Sequence, residues 1–382
     1  MVRVVVPLAG RDLVVETAAA VRVVELPPAR PAPPLGQLLD DALAAPIGSA
    51  RLEERARRGD RVTVIVSDAT RREPRRAFLD AVRARLPEVH LTLAIATGTH
   101  GPSGGLAALG LDGVTVDAVV DHDGHAGAGL VTVGTTARGT PVTVHRACVE
   151  ADLVVATGVI RGHYFAGFGA GAKAIFPGLA AAPAARINHQ WKADPRARAG
   201  AVDDNPCRLD LEEAAALAAP RGFLLDGVAD RHDQLQAAVA GDVGAAFRHG
   251  AALAGTWLRA AARPSRCVVA VDTGPVTRSL YQASKAVAAV APWLLDGGRV
   301  VLVAGCEDGI GPLDVVNHGI YQLGLRPRLP ARHEIVLVSS LAPDAVAPSY
   351  ARWAPDLATA IADADELLVV AGASKVIADV LP

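Results

Sequence analysis

Short, unbroken runs of β-branched and aliphatic residues recur along this 382-residue chain, and polar or glycine-rich loops follow them directly. Residues 62–66 lead into SDATRREP (67–74), residues 91–96 into the ATGTH motif (96–100), and residues 153–157 into GVIRGH (158–163). Apolar runs of this length belong to strands covered on both faces, and such strands build parallel sheets joined by helical crossovers. In sheets of this kind the reactive groups stand just past the strand ends. The expected class is α/β, with two α/β domains, mainly parallel sheets and an active site in the cleft between them.

Within that frame, residues 2–6 and 12–15 read as an opening hairpin. ELPPARPAPPLG (25–36) reads as an extended connection, because proline and glycine at this density oppose helix. Helices are predicted at 38–43, after the PIGS turn, and at 75–86. Runs at 114–120, 130–133 and 141–144 read as antiparallel additions. A second block opens near Pro264, with strands at 267–271, 300–304 and 335–339, a helical pattern at 279–295 and a loop-rich stretch at 305–324. Residues 367–370 supply a last strand or part of the closing segment. The expected domains are 1–263 and 264–382, the end of the second being able to pack back on the first.

Composition excludes several classes. A formal charge of −2 with mixed signs offers no basic stripe for nucleic acid. The RRGDR and TRREPRR clusters read as solvated helix faces. Cys148, Cys207, Cys267 and Cys306 lack paired spacing, so neither a zinc site nor a disulfide framework is predicted. No apolar run reaches the ~18 residues of a membrane span, and the N-terminus does not read as a secretory peptide. The expected location is the cytoplasm.

The chemistry-bearing residues gather in GVIRGHYFAGFGAGAKAIFPGLAAAPAARINHQW (158–191). Lys173 lies among glycines, which permit close backbone approach to a ligand, but Ala174 follows it, so the phosphate loop pattern GK[ST] fails. A lysine desolvated there gains nucleophilicity and can attach a carbonyl or acyl group; the alternative is a surface lysine on a glycine-rich loop. His100 and His163 each follow a predicted strand and read as proton carriers or as structural histidines. His189 is a candidate metal ligand. Asp68 and Arg71 read as an orienting carboxylate and an anion-binding fork, or as the cap of the next helix. Tyr281, Gln282 and Lys285 share one turn of a predicted helix, with Tyr281 and Lys285 on one face; an ordinary amphipathic helix gives the same pattern. Glu307 and Asp308 read as a structural turn.

Taken in order, SDATR, ATGTH, GHYFAGFGAGAK…PG, NH and YQASK resemble the nickel-pincer lactate racemase family, with smaller echoes in PIGS, DDNPCR (203–208) and CEDGIG. The resemblance covers most of the chain. It implies that Lys173 carries a nickel-pincer nucleotide, the pyridinium-3-thioamide-5-thiocarboxylic acid mononucleotide, through a thioamide bond. It implies that His189 is the protein ligand to the nickel (Ni), a combination of soft sulfur and imidazole suited to that ion. His100 and His163 match the two acid/base histidines. Arg71, Gln282 and Lys285 match groups that hold substrate or cofactor, with Asp68 and Tyr281 beside them, and Phe165 matches an aromatic that lines the site. Trp353, where local similarity is weaker, stands for a substrate-pocket tryptophan.

The implied activity is racemisation or epimerisation of a small-molecule 2-hydroxy acid. A hydride leaves the substrate α-carbon for the cofactor while one histidine takes the hydroxyl proton, and a bound 2-keto acid receives the hydride on its other face. Cofactor-biosynthesis proteins are the implied partners; nucleic acid and membrane are not, and the oligomeric state stays open. Two positions depart from the family: Gly101 follows the GTH histidine where arginine is common, and Arg161 precedes His163 by two. They point to a substrate larger than lactate. The competing classes are a metal-independent Schiff-base lysine enzyme acting on keto or hydroxy acids, and a non-catalytic cofactor or nucleotide binder.

Overall fold

The computed structural model describes residues 1–8, 11–24, 27–28 and 30–382. Part of the connection at 25–36 lies outside the described residues, and its described part holds no helix or strand before Leu35. Two six-stranded sheets form the frame. In the first, Leu235–Gly241, Gly222–Ala229, Leu153–Ile160, Arg61–Ser67, His90–Ala96 and Ala118–Asp121 lie side by side in that order. All neighbours run parallel except Leu235–Gly241 against Gly222–Ala229. The second orders Arg352–Ala354, His333–Val338, Leu294–Val303, Ser265–Val271, Glu366–Ala371 and Ala20–Val23, all parallel.

Burial on both faces explains the unbroken apolar runs. Along Arg61–Ser67, Ile65 enters one core while Val62, Val64 and Val66 enter the core on the opposite face. Along Ser265–Val271, Val268 and Ala270 face one core, and Cys267, Val269 and Val271 the other. Successive side chains of a strand point to opposite faces, so both sets must be apolar when both faces are covered.

Three stretches differ from their sequence reading. Residues 130–133 and 141–144 do form an antiparallel hairpin, Leu130–Thr135 with Pro141–His145, but Ala118–Asp121 closes the first sheet as a parallel edge strand. The loop-rich stretch contains a π-helical segment, Val315–Leu325, whose Gly319 and Gly324 masked it. The opening of the chain sides with the second sheet: Ala20–Val23 pairs with Glu366–Ala371, and Val4, Val6 and Leu8 pack in that sheet's core. Alternation within a hairpin shows that one face is covered, but not by which sheet. At the other end, Ile377–Val380 pairs with Arg259–Ala262, and Ile377 packs in a core of the first sheet. Among the described residues no helix is long and apolar enough to cross a membrane.

Ser67 lies level with Ala96 in the ladder, and Ile65 with Ala156. The loops after these three parallel strands therefore leave the first sheet along one edge.

Candidate active site

At that edge the SDATR and ATGTH loops meet. Asp68 Oδ2 lies 2.7 Å from His100 Nδ1, and Asp68 Oδ1 accepts the backbone N–H of Thr70 at 3.1 Å and the Thr70 hydroxyl at 2.5 Å. Burial acts to raise the Asp68 carboxyl, but the bonds from His100 and Thr70 and the charge of Arg71 outweigh it and hold it below the usual carboxylate range. Buried Arg75 clamps the loop from below, donating to the carbonyl oxygens of Ser67, Asp68 and Arg71.

The loop after Leu153–Ile160 folds into a small hairpin, Gly162–His163 against Gly167–Phe168. Its tip points Phe165 into the protein, and three candidate residues meet around that ring. The His163 and His189 rings approach it edge-on at centroid distances of 4.6 Å and 5.2 Å, and Lys173 Nζ lies 5.8 Å from its centroid. Lys173 sits in a 3₁₀ turn, Gly171–Ala174, and His189 in the last turn of helix Ala182–Gln190.

Electrostatics follow from this enclosure. Burial pushes the Lys173 amine down to about 8; Arg208 and Arg71 act in the same sense and Cys207 against it. Burial, then the charges of Lys173 and Lys192, push the His189 imidazole down to about 3, so its ring is neutral. His163 is held well below its ordinary value by burial and by Lys173, Lys285, Arg71 and Arg208. Lys285 is pushed down to about 8 by burial and by Arg71. This lysine comes from helix Leu280–Val290, which packs on the second sheet, so both sheets contribute charge around His163.

Lys285 also donates to Gln282 Oε1. Tyr281 and Trp353 lie on the fringe of the second sheet's core, as does Tyr164; the Trp353 indole N–H donates to the Leu341 carbonyl at 2.9 Å. The structure thus gathers His163, Phe165, Lys173 and His189 closely, pairs His100 with Asp68, and brings the charges of Arg71 and Lys285 to bear on His163. None of the aromatic or hydrogen-bond contacts found among the described residues joins Trp353 to this group.

Several supporting residues escaped sequence reading. Asn205 caps helix Pro206–Ala218 and donates to the Phe165 carbonyl at 2.8 Å. Arg208, fully buried over the Phe247 ring at 4.1 Å, donates to the carbonyls of Ala166, at 3.1 Å, and Phe168. Asp226, on the neighbouring strand, accepts the Gly171 N–H at 2.8 Å, and burial pushes its carboxyl up to about 8. The DDNPCR motif was the available signal for Asn205 and Arg208; Asp226, inside an apolar run, gave none. Arg161 bonds to Glu73 at 3.1 Å and to Asp233 at 3.0 Å, and Asp233 also takes Lys375 at 2.7 Å.

Residues 10–200 match the family profile of the lactate racemase N-terminal domain. The lactate racemase of Thermoanaerobacterium thermosaccharolyticum is 32% identical over 280 residues, covering 71% of this chain and 66% of that protein. That of Lactiplantibacillus plantarum is 30% identical over 287 residues, covering 72% and 67%. The matched region spans about two thirds of these relatives' length. The solved lactate racemase apoprotein of T. thermosaccharolyticum superposes with a TM-score of 0.87 at 25% identity, over 99% of this chain and 100% of that one. A Thermotoga maritima protein shares the fold at a TM-score of 0.64 and 17% identity, over 86% and 96%. The chain belongs to the lactate racemase family.

Proposed function

We propose that this protein racemises or epimerises a 2-hydroxy acid, using a nickel-pincer nucleotide tethered to Lys173. The observation that carries this reading is the meeting of His163, His189 and Lys173 around Phe165. The residues present fit such a group. Lys173, with its amine pushed down to about 8, is a nucleophile near neutral pH. Neutral His189 offers a nitrogen lone pair, and among the described residues no group of three or more His, Cys, Asp or Glu could hold a metal alone. The remaining ligands would come from the cofactor itself. The cations Arg71 and Lys285 suit an anionic nucleotide and a carboxylate substrate.

When bound, the cofactor supplies the hydride acceptor. His100 and His163 move the hydroxyl proton, and Arg71, Lys285 and Gln282 hold the substrate carboxylate. The site is read as lying where the two α/β units meet, the second unit including residues 1–8 and 11–23 as well as most of the chain after 263, a reading supported by the action of Lys285 on His163. Cofactor-making proteins are the required partners, and the cytoplasm is the proposed location.

The test is co-expression with those proteins, followed by intact-mass, nickel and chiral product analysis over a panel of 2-hydroxy acids. A mass increment on Lys173, about one nickel per chain (the single-ligand site of His189) and inversion of one acid are the expected results. An unmodified Lys173 under conditions that load a relative, with borohydride trapping of substrate on that lysine, would replace the reading with Schiff-base chemistry.

A further inference from the structure

The two acid/base histidines are wired in opposite senses. Asp68 is an ionised acceptor, so the bond it receives from His100 places the ring proton on Nδ1 and leaves the Nε2 lone pair open. At His163 the order reverses. The Ala166 N–H donates to His163 Nδ1 at 3.2 Å, so in the neutral ring the proton sits on Nε2.

The Ala166 peptide is itself fastened. The carbonyl of that same peptide group, Phe165 C=O, is held by Asn205 at 2.8 Å; farther along, the Ala166 carbonyl takes the Arg208 Nε–H at 3.1 Å and the Phe168 carbonyl takes a second Arg208 N–H. Burial of Arg208 against Phe247 leaves this guanidinium no alternative partner in solvent.

We propose that His100 and His163 rest as opposite neutral tautomers, His100 as an open base and His163 as a locked donor, with Asn205 and Arg208 as the positioning residues that hold His163 so. The proposal rests on the two-histidine reading above. In this pose His163 Nε2 already bears its proton, and a second proton would have to enter Nδ1 against the Ala166 N–H. His163 therefore accepts a hydroxyl proton only after its ring leaves Ala166. A substrate whose hydroxyl faces His100 meets a base, while its mirror image meets a donor. Enantiomers have equal free energy, so a racemase shows equal kcat/KM in both directions. The asymmetry must fall on kcat and KM separately, both being lower for the enantiomer that faces His163.

The test uses the full chain without cofactor, labelled with ¹⁵N-histidine, at a pH where both rings are neutral. Two-bond proton–nitrogen spectra report each tautomer, with assignments from His100→Gln and His163→Gln. A protonated Nδ1 at His100 and a protonated Nε2 at His163 are expected. The same tautomer at both rings, or an averaged His163, overturns the proposal. Arg208→Met is expected to average the His163 signal and leave His100 unchanged; Asn205→Ala is the second variant, with folding of each checked by circular dichroism. An unaltered His163 pattern in a folded variant removes that residue from the positioning role. These spectra do not depend on turnover. Opposite tautomers in a chain that inverts no hydroxy acid would defeat the proposed function alone; inversion with matching tautomers would defeat this inference alone.

Discussion

Lys173 holds its amine nitrogen 5.8 Å from the ring centroid of Phe165, with burial pushing that amine down to about 8. Ordinary surface lysines stay charged well above that pH, so acylation by a small amine-reactive anhydride should reach Lys173 early. Peptide mapping across a pH series is expected to give Lys173 a midpoint near 8, shared with Lys285, whose amine is also pushed down to about 8. The stability effect has a definite sign. A lysine lowered on folding binds fewer protons in the native state, so the cost is full below about 8 and fades as pH rises toward the ordinary value of 10.5. Lys173→Met should stabilise the cofactor-free chain at neutral pH by about 1–3 kcal/mol while abolishing cofactor attachment. A fall in Tm for that variant would contradict the assignment of a costly buried charge.

His100 and Asp68 are 32 residues apart in sequence and 2.7 Å apart in space. Asp68→Asn keeps an acceptor for Thr70 but removes the ionised partner that orients His100. Inversion by the loaded enzyme should fall by about 10²–10⁴-fold, as when a proton carrier loses its orienting carboxylate. His100→Ala should lose at least as much. Chiral assay of the loaded variants decides the matter, and wild-type rates in Asp68→Asn would remove the carboxylate from the acid/base unit.

Much of this arrangement was legible because two-sided burial writes itself into sequence as unbroken apolar runs. Those runs fixed the ends of Arg61–Ser67, His90–Ala96 and Leu153–Ile160, and hence where Asp68, His100 and His163 emerge. What stayed hidden depends on long-range partners. Nothing local to Val4, Val6 and Leu8 says that they cover the second sheet, and nothing near Arg208 says that it reaches back 40 residues to the carbonyl of Phe168. Strands Gly222–Ala229 and Leu235–Gly241 and helix Val243–Leu258 carry no comparably clear local signal. Alanine and glycine dominate Leu235–Gly241 and Val243–Leu258, which blurs the contrast between the two periods.

Gly171 opens the turn that carries Lys173, at φ +64°, and a Cβ there would lie 2.4 Å from the Phe247 ring. Gly171→Ala therefore meets both a left-handed backbone and an overpacked core. A loss of about 2–4 kcal/mol in urea unfolding is expected. The same variant should shift the Lys173 labelling midpoint upward, because a displaced turn readmits water to the amine. A stable variant with an unchanged midpoint would show that Phe247 yields without disturbing the lysine.

His189 is the one histidine in the group around Phe165 with no proton-transfer role in the proposed function, and it separates metal retention from cofactor attachment. His189→Ala leaves Lys173 and its amine in place, so the mass increment on that lysine should persist in the loaded chain. Nickel retention should fall by at least about 10–10²-fold, the loss typical when even an outer-shell partner is removed, because no group of three or more candidate ligands among the described residues can replace His189. The decisive quantity is nickel per modified chain, measured on one sample by metal analysis and intact mass. Loss of both signals together would mean that the imidazole is needed for attachment, and retention of both would move the metal ligand elsewhere.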